Sequence, residues 1–459
     1  MLVQRDHHGG DRGILLSVDR RKDFEEYRYG HDPTVEGEHA GYRPITIAAA
    51  SNGAPKLRAS RVAWLEADEQ TRRKVNGRSA ASGAASGATE SSGEQRVARK
   101  GADYIGTMEV QEKHRFDEQK LSRFMSGNVE GFVPPVRAEQ FRGGQSNPTY
   151  RLTDGAGRHY VLRRKPPGKL LPSAHAVDRE FRVISALNRT NVPTPRAYAL
   201  SEDEGVVGTA FYIMEYCDGR VLWDPLLPEV PREGRLAIYR AKFEALARLH
   251  AVDYAALGLA DFGRPGSYVA RQISRWGKQY KASETEAIEA MDRLLEWLPA
   301  HLPANDETVL VHGDYRLDNM VFHASEPRVL GIIDWEISTL GDPLAELSYL
   351  CMLWRTPKDW GGLEGHDLAA LGLPSEQDMI AYYCTLSKRA VPAAALWEFY
   401  MAYNLFRVSC IRQGVYARAL DGTASNVRAA ESGKLVRPAA ELGWRLVEGI
   451  AANATGAAT

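Results

Sequence analysis

The chain has few of the features that mark a secreted, membrane-spanning or zinc-binding protein. Only four of its 459 residues are cysteine, and no two of them form a CxxC pair or the spacing of zinc ligands. We therefore expect buried, reduced thiols and a cytoplasmic location. No apolar run approaches the ~18 residues needed to span a bilayer. The first residues also lack the apolar core of a secretory signal.

Charge of one sign is not in excess either. The formal net charge is −1, so no overall field attracts nucleic acid or an anionic membrane, and we expect neither as a partner. Hydrophobic residues make up 44% and charged residues 25%, which is typical of a soluble globular protein. The length indicates two or three structural units rather than one small core.

Residues 1–124 differ in composition from the rest of the chain. They carry dense mixed charge, show little periodicity and include the low-complexity stretch at 79–88, which cannot bury enough apolar surface to offset chain entropy. We expect this segment to be disordered and organised sequence to begin at Met125. Either translation starts at Met125, or the preceding segment is a regulatory extension, and the sequence does not separate the two.

Residues 125–217 are predicted to form a small lobe that contains an antiparallel sheet and one helix. Residues 154–157 are of types that tolerate positive φ, so they predict a hairpin turn. Apolar residues recur at helical spacing in 176–187. Short β-rich runs give the predicted strands 139–142, 149–153, 159–163 and 209–216.

Residues 218–459 are predicted to form a larger lobe that is mainly helical. Leu236, Tyr239, Phe243, Leu246 and His250 recur at steps of three and four, as on one helix face. A short β insertion interrupts the helices at 309–311, 320–322 and 329–333. The fold class is therefore α+β. The other predicted helices are 268–280, 284–298, 342–354, 375–387, 394–418 and 430–449.

The β insertion carries the residues with the clearest chemical pattern. In Val-His-Gly-Asp-Tyr-Arg-Leu-Asp-Asn at 311–319, Asp314 and Asn319 have the spacing of the catalytic loop of protein kinases. Asp334 follows the apolar run Gly-Ile-Ile. A carboxylate that accepts a hydroxyl proton, an amide and a second carboxylate suit phosphoryl transfer, with Asn319 and Asp334 as oxygen ligands for Mg²⁺.

Two neighbours of Asp314 have open interpretations. Arg316 either stabilises charge on the transferred phosphoryl group or is an ordinary ion-paired surface residue. For His312 we favour a hydrogen bond that holds the loop over a role as a base. Asp314 is the predicted base.

The smaller lobe contains candidate contacts for the phosphates and the base of ATP. Glycines in the loop Gly143, Gly144, Gln145, Ser146, Asn147 let the backbone approach phosphates, although this loop is no GxxxxGK[ST] motif. Arg163 stands where a kinase has its phosphate-binding Lys, and Glu180 is its expected ion-pair partner. Glu215 and Tyr216 are expected at the hinge, with backbone groups facing adenine.

The two motifs, followed by Leu-Gly-Asp-Pro at 340–343, resemble the aminoglycoside phosphotransferase and choline kinase family over residues 135–450. The resemblance implies a bilobal protein-kinase-like fold and phosphorylation of a small-molecule hydroxyl with ATP and Mg²⁺. It gives Asp314 as the catalytic Asp and Asn319 and Asp334 as the metal ligands. It also implies that Asp342 supports the catalytic loop.

The stretches at 160–168 and 175–180 are similar to a narrower branch, the kinase-like domains fused to acyl-CoA dehydrogenases. That branch shares the Arg in place of Lys and implies a hydroxyacyl-CoA as one possible acceptor. An aminoglycoside or choline-type kinase and an ATP-binding pseudokinase with a regulatory role remain alternatives. The side chains that could line an acceptor site are Trp276, Tyr280, Trp354, Tyr403, Arg407 and Arg412.

Overall fold

The computed structural model describes residues 106–142, 147–167, 176–304, 307–422 and 429–456. The expected disorder of residues 1–105 and the expected phosphate loop at 143–146 lie outside these residues. The other predictions can be compared with the described elements.

A six-stranded antiparallel sheet forms the smaller lobe. Its order is β1-β2-β3-β4-β6-β5, so only the last pair departs from chain order. The β3–β4 hairpin turns at Asp154, whose carboxylate accepts hydrogen bonds from the N–H groups of Ala156 and Arg158. The strands are Thr107–Met108 (β1), Arg137–Phe141 (β2), Thr149–Thr153 (β3), His159–Arg164 (β4), Ala197–Ser201 (β5) and Phe211–Glu215 (β6).

The prediction that organised sequence begins at Met125 is wrong. Strand β1, a 3-10 turn at Glu112–His114 and helix α1 (Glu118–Asn128) all contain earlier residues. Leu121 and Met125 are fully buried on the inner face of α1, four residues apart. The few apolar residues of α1 before Met125 form too short a pattern to be recognised in the sequence. Packing against the sheet stabilises the helix.

Two further helices flank the sheet, α2 (Val177–Leu187) and the short α3 (Glu204–Val207). The predicted helix at 176–187 is confirmed. Val177, Ile184 and Leu187 bury one face of α2 next to the sheet. This face also carries Glu180, which is 1% exposed, so α2 brings a buried carboxylate to the sheet.

The larger lobe is mainly helical, as predicted. Asp342 caps the N-terminus of helix α7, because its carboxylate accepts hydrogen bonds from Leu344 N and Ala345 N. Pro343 follows at the first helical position. The helices are α4 (Arg232–His250), α5 (Tyr268–Ser283), α6 (Glu289–Ala300), α7 (Pro343–Arg355), α8 (Leu368–Leu371), α9 (Glu376–Ser387), α10 (Ala394–Leu420), α11 (Ala429–Gly433) and α12 (Val436–Gly456).

Two small sheets within the helical lobe contain the predicted β insertion, which carries the motif at 311–319. One has the order β10-β9-β7 and the other pairs β11 with β8. Strand β7 follows β6 after a short connection and pairs with β9, so the chain passes from the large sheet directly to one of the two small sheets. The strands are Arg220–Val221 (β7), Val309–Val311 (β8), Met320–Phe322 (β9), Val329–Ile332 (β10) and Thr339–Gly341 (β11).

The apolar core and the free state of the cysteines agree with what the composition indicated. One large apolar cluster fills the helical lobe and reaches α2, while a second lies between α1 and the six-stranded sheet. All four cysteines are free, and three of them are buried. In the described ranges, no helix combines the length and the apolar character that crossing a membrane requires.

Candidate active site

The loop between β8 and β9 carries His312, Gly313 and Asp314. Gly313 has φ +87°, and a Cβ atom there would lie 2.7 Å from the carbonyl oxygen of Ile337. Glycine is therefore required for both conformation and space. His312 is fully buried, and its Nε2 lies 2.9 Å from the carbonyl oxygen of Ile333. Its Nδ1 accepts a hydrogen bond from Asp314 N, which indicates the Nε2–H tautomer and the structural role expected for this residue.

Asp314 is held through both carboxylate oxygens. Tyr349 donates its hydroxyl to Oδ1 at 2.7 Å, and Arg316 Nε lies 3.3 Å from the same oxygen. Asn319 Nδ2 donates to Oδ2 at 3.1 Å and to the Asp314 carbonyl at 2.9 Å. The predicted base and the predicted amide ligand, which were identified by their spacing in the sequence, are therefore in direct contact.

Asp334 lies next to this loop, because Ile333 N donates to the Asn319 carbonyl at 2.9 Å. Its φ of +68° is uncommon for a residue other than glycine, and such conformations cluster at functional sites. Trp335 follows, is buried and donates its Nε1–H to the Ile332 carbonyl. The anchored indole fixes the turn that presents the Asp334 carboxylate.

Arg163 on β4 connects the two lobes at this point. Its Nε lies 2.9 Å from Glu180, as predicted, and its Nη2 lies 2.6 Å from Asp334 Oδ1 and 3.3 Å from Glu336. Asn147 Nδ2 donates to Glu180 at 3.0 Å, so this fully buried side chain of the predicted phosphate loop supports the ion pair. The contact of Arg163 with Asp334 was not predicted.

Glu215 is the last residue of β6 and Tyr216 follows it, at the position where the hinge was expected. The Glu215 carboxylate accepts a hydrogen bond from Arg196 N at 2.9 Å, and Glu215 N donates to the Arg196 carbonyl. The Tyr216 ring packs edge-on against His159 at 5.4 Å. Both side chains therefore have partners on the sheet, and the backbone that follows leads into β7.

Helix α7 provides support for the loop that the sequence reasoning missed. Glu346 is buried and accepts hydrogen bonds from Gly313 N at 2.6 Å and from His312 N at 3.0 Å. His250 Nε2 lies 3.0 Å from the same carboxylate. The resemblance implied this role for Asp342, but the carboxylate of Asp342 caps α7 and accepts the Tyr400 hydroxyl. A Glu four residues into an apolar helix gives no signal in the sequence.

The charges around Asp314 favour its ionised form. Burial alone would raise the pKa of Asp314, but Arg316, the Tyr349 hydroxyl and Arg407 outweigh it and hold the pKa below its usual value. Burial would likewise lower the pKa of Arg163, but Glu180 and Asp334 outweigh that effect and raise it. The site therefore has an ionised Asp314 carboxylate and a permanently charged Arg163 guanidinium.

The oxygen atoms around Asn319 and Asp334 fit a magnesium ion. Asn319 uses Nδ2 for its hydrogen bonds, so its Oδ1 remains for a metal. Arg163 engages Oδ1 of Asp334 and leaves Oδ2. Within the described ranges, no cluster of three or more His, Cys, Asp or Glu could hold a metal. Mg²⁺ commonly needs only one or two protein ligands, with waters and phosphate oxygens completing its shell.

The six-stranded antiparallel sheet carries the buried Arg163–Glu180 pair, and a short connection leads from it to a helical lobe that holds the loop of Asp314. This arrangement is the protein-kinase-like fold. The comparison with solved structures agrees. A Ralstonia eutropha protein, described provisionally as an aminoglycoside phosphotransferase, is 49% identical, with a TM-score of 0.67. The alignment covers 73% of this chain and 99% of that protein.

Residues 137–379 match the phosphotransferase enzyme family, and the chain belongs to that family of small-molecule kinases. Mouse acyl-CoA dehydrogenase family member 10 is 45% identical over 74% of this chain and 32% of its own length. An Arabidopsis thaliana protein, probable acyl-CoA dehydrogenase IBR3, is 48% identical over 69% of this chain and 41% of its own length. The chain thus spans less than half the length of these curated relatives.

Proposed function

We propose that the chain transfers the terminal phosphoryl group of ATP to a hydroxyl group of a small molecule. The observation that carries this proposal is the Asp314 carboxylate, which is fixed through both oxygens and ionised, beside Asn319 and Asp334. Phosphoryl transfer depends on positioning and charge neutralisation more than on covalent chemistry. A rigid carboxylate near two further oxygen ligands provides both.

In the proposed reaction, Asp314 orients the acceptor hydroxyl and accepts its proton late, as the bond to phosphorus forms. The acceptor oxygen bonds to the terminal phosphorus, the bond from that phosphorus to ADP breaks, and ADP leaves. Arg316 Nη2 lies 2.8 Å from Asp318 and its Nε faces Asp314. Arg316 is thereby held where a cation would stabilise charge on the transferred group.

Asn319 and Asp334 are the proposed ligands of Mg²⁺, which when bound neutralises negative charge on the phosphates. Arg163 is proposed to contact the inner phosphates, with Glu180 holding it in place. The backbone at 143–146 and at Glu215 and Tyr216 is proposed to contact the phosphates and adenine respectively. The buried Arg163–Glu180 pair supports this assignment, because it forms as in kinases that use Lys.

For the acceptor we propose a hydroxyacyl-CoA. Two cations, Arg316 and Arg407, lie near Asp314, and a third, Arg412, lies near Tyr349. Burial lowers the pKa of Arg412, and no carboxylate of the described residues forms an ion pair with it. Cations suit an acceptor with phosphate groups, and a polycationic aminoglycoside would be repelled. The names of the curated relatives, acyl-CoA dehydrogenase family members, point to the same chemical class.

A choline-type kinase would hold its acceptor in an aromatic cage, but three of the four aromatic residues that could line an acceptor site already face cations of the chain itself. Trp276 lies 5.9 Å from Arg407, Tyr280 5.5 Å from Lys281 and Trp354 5.9 Å from Lys242. A second cation on the same faces would be repelled. This occupancy supports an anionic rather than a cationic acceptor.

The test is ATP consumption by the whole chain with a panel of hydroxyacyl-CoAs, amino alcohols and aminoglycosides. We expect acceptor-dependent ADP formation with a hydroxyacyl-CoA, and a phosphorylated product of the corresponding mass. The matched control is the acyl-CoA of the same chain length without the hydroxyl group. Equal ADP formation with that control would contradict the acceptor class, and turnover with an aminoglycoside would replace it.

The second candidate is an ATP-binding regulator without turnover. The observation in its favour is the 2.6 Å contact of Arg163 with Asp334, which occupies an oxygen of a proposed metal ligand. Asp314→Asn separates the candidates. For an enzyme we expect phosphoryl transfer to fall by at least ~10²-fold while ATP affinity, measured by calorimetry, is retained. Equal transfer by the variant and the native chain would contradict the assignment of Asp314 as the base.

A further inference from the structure

One face of α7 is directed at the loop of Asp314. Glu346 binds the backbone N–H groups of His312 and Gly313, and Tyr349 lies three residues further along the helix. Residues three apart share a helix face, so the two side chains reach adjacent parts of the same loop. Glu346 thus holds the loop backbone, while Tyr349 reaches the Asp314 side chain.

The hydrogen bond from Tyr349 to Asp314 is short and well placed. The phenolic oxygen lies 2.7 Å from Oδ1. Hydrogen bonds to an ionised carboxylate are stronger than neutral ones. Burial is the main cause that raises the pKa of Tyr349, so the phenol keeps its proton and acts as the donor.

Arg407 on α10 fixes the Tyr349 ring. Its guanidinium lies 4.9 Å from the centre of that ring, and its Nη2 donates to the Gly313 carbonyl at 2.7 Å. Arg407 is 7% exposed, so it has little freedom to leave this position. The ring is therefore held from one side by a cation that is itself bonded to the loop.

We propose that Tyr349 is a positioning residue for phosphoryl transfer, which fixes the rotamer of Asp314 through its hydroxyl group and is itself aligned by Arg407. This inference rests on the proposed role of Asp314 as the base. Asn319 holds Oδ2. Among the residues that the structure describes, only the longer 3.3 Å contact with Arg316 would restrain Oδ1 without the Tyr349 hydroxyl. A carboxylate free to rotate is less often in the reactive orientation.

The kinetic test compares the native chain with Tyr349→Phe, which keeps the ring under Arg407 and removes only the hydroxyl. We expect kcat to fall by about 10- to 100-fold with KM for ATP unchanged, because the variant loses orientation and no nucleotide contact. ATP turnover is measured with the hydroxyacyl-CoA panel and, without an acceptor, with water. Replacement of Tyr349 by p-aminophenylalanine, which restores a donor, should recover most of the loss.

The matched control is Tyr382→Phe, which removes a phenol on α9 that donates to Glu244 on α4. It loses the same kind of bond, and we expect native kcat. Equal kcat values for Tyr349→Phe and the native chain, or no recovery with p-aminophenylalanine, would overturn the proposal while leaving Asp314 as the base.

A second measurement does not depend on turnover. Crystal structures of the native chain and Tyr349→Phe at atomic resolution should show one Asp314 rotamer in the former and more than one in the latter. An identical single rotamer in both would overturn the proposal even if no acceptor were found. Absence of all ATP turnover in the native chain would instead contradict the proposed function, so the two failures are distinguishable.

Discussion

At the scale of single residues, Asp314 is held first by a near neighbour in the chain, because Asn319 Nδ2 donates to its carboxylate at 3.1 Å. A span of five residues in a loop between two strands leaves few arrangements. Tyr349 and Glu346 reach the same loop from a helix about 30 residues later. No local pattern relates residues at that separation, so the sequence did not reveal them.

Lys242 carries a buried charge in the larger lobe. It is 1% exposed on α4, and its ammonium lies 4.5 Å from the Tyr239 ring and near Phe243 and Trp354. Burial lowers its pKa to about 8. Since an unfolded lysine titrates near 10.4, the unfolded chain binds more protons between these pH values. The Lys242 charge therefore disfavours folding at pH 7, and this cost is lost as the pH rises through that window.

We therefore predict that Lys242→Met raises the free energy of unfolding at pH 7 by roughly 1–3 kcal/mol, because a methionine fills the space without a buried charge. The difference from the native chain should shrink between pH 8 and 10. Urea unfolding at four pH values measures this, with Lys278→Met, an exposed lysine on α5, as the control. Parallel pH profiles for the native chain and Lys242→Met would contradict the prediction.

At the scale of elements, most strands and helices lie within a few residues of their predicted positions. Strong periodicity accounts for this agreement in α2, where apolar residues recur at helical spacing. Apart from α1, the elements that were missed are short: β1, β5, β7, β11, α3 and α8. Strands of two to five residues and single helical turns are too short to show a hydrophobic periodicity that predicts them. The short strands form because neighbouring strands supply their hydrogen bonds.

Helix α1 is the element whose role differs most from expectation. Phe124 packs edge-on against Phe211 at 5.1 Å, and Phe116, before the helix, packs against Tyr150 at the same distance. A chain that begins at Met125 would lose most of α1 and the aromatic residue before it. The small lobe would then expose apolar surface of its sheet.

For α1 we predict that Leu121→Ala lowers the free energy of unfolding of the small lobe by about 2–4 kcal/mol, since it leaves a cavity at a fully buried position. Amide hydrogen exchange of the six-stranded sheet, read by mass spectrometry, reports on this lobe separately. Arg123→Ala, on the exposed side of the same helix, is the control. Native exchange rates in Leu121→Ala would mean that α1 does not stabilise the sheet.

At the scale of the whole molecule, Arg163 joins the two lobes. It extends from β4 to Asp334, 171 residues later in the chain, and binds Glu180 on α2 as well. A buried ion pair adds little stability when intact, but removal of one partner leaves an uncompensated charge and is strongly destabilising. The cleft therefore depends on Arg163 and its acidic partners being present together.

We predict that Arg163→Met and Glu180→Met each lower the free energy of unfolding by about 3–5 kcal/mol, and that the double variant loses less than the sum. The reason is that each single variant leaves one charge buried without its main partner, whereas the double variant removes both charges. Urea unfolding of the native chain and the three variants gives the coupling energy. Additivity within about 0.5 kcal/mol would show that the two residues act independently.

The sequence by itself determined the α+β class, most helices and strands, and the identity of Asp314, Asn319 and Asp334 as neighbours, because these depend on periodicity and short spacing. Only the tertiary structure decided which distant side chains meet at the site. Tyr349, Glu346 and Arg407 hold the loop, and Arg163 contacts Asp334. Such contacts depend on how helices pack against strands, and a pattern within one segment carries no information about the partner it will face.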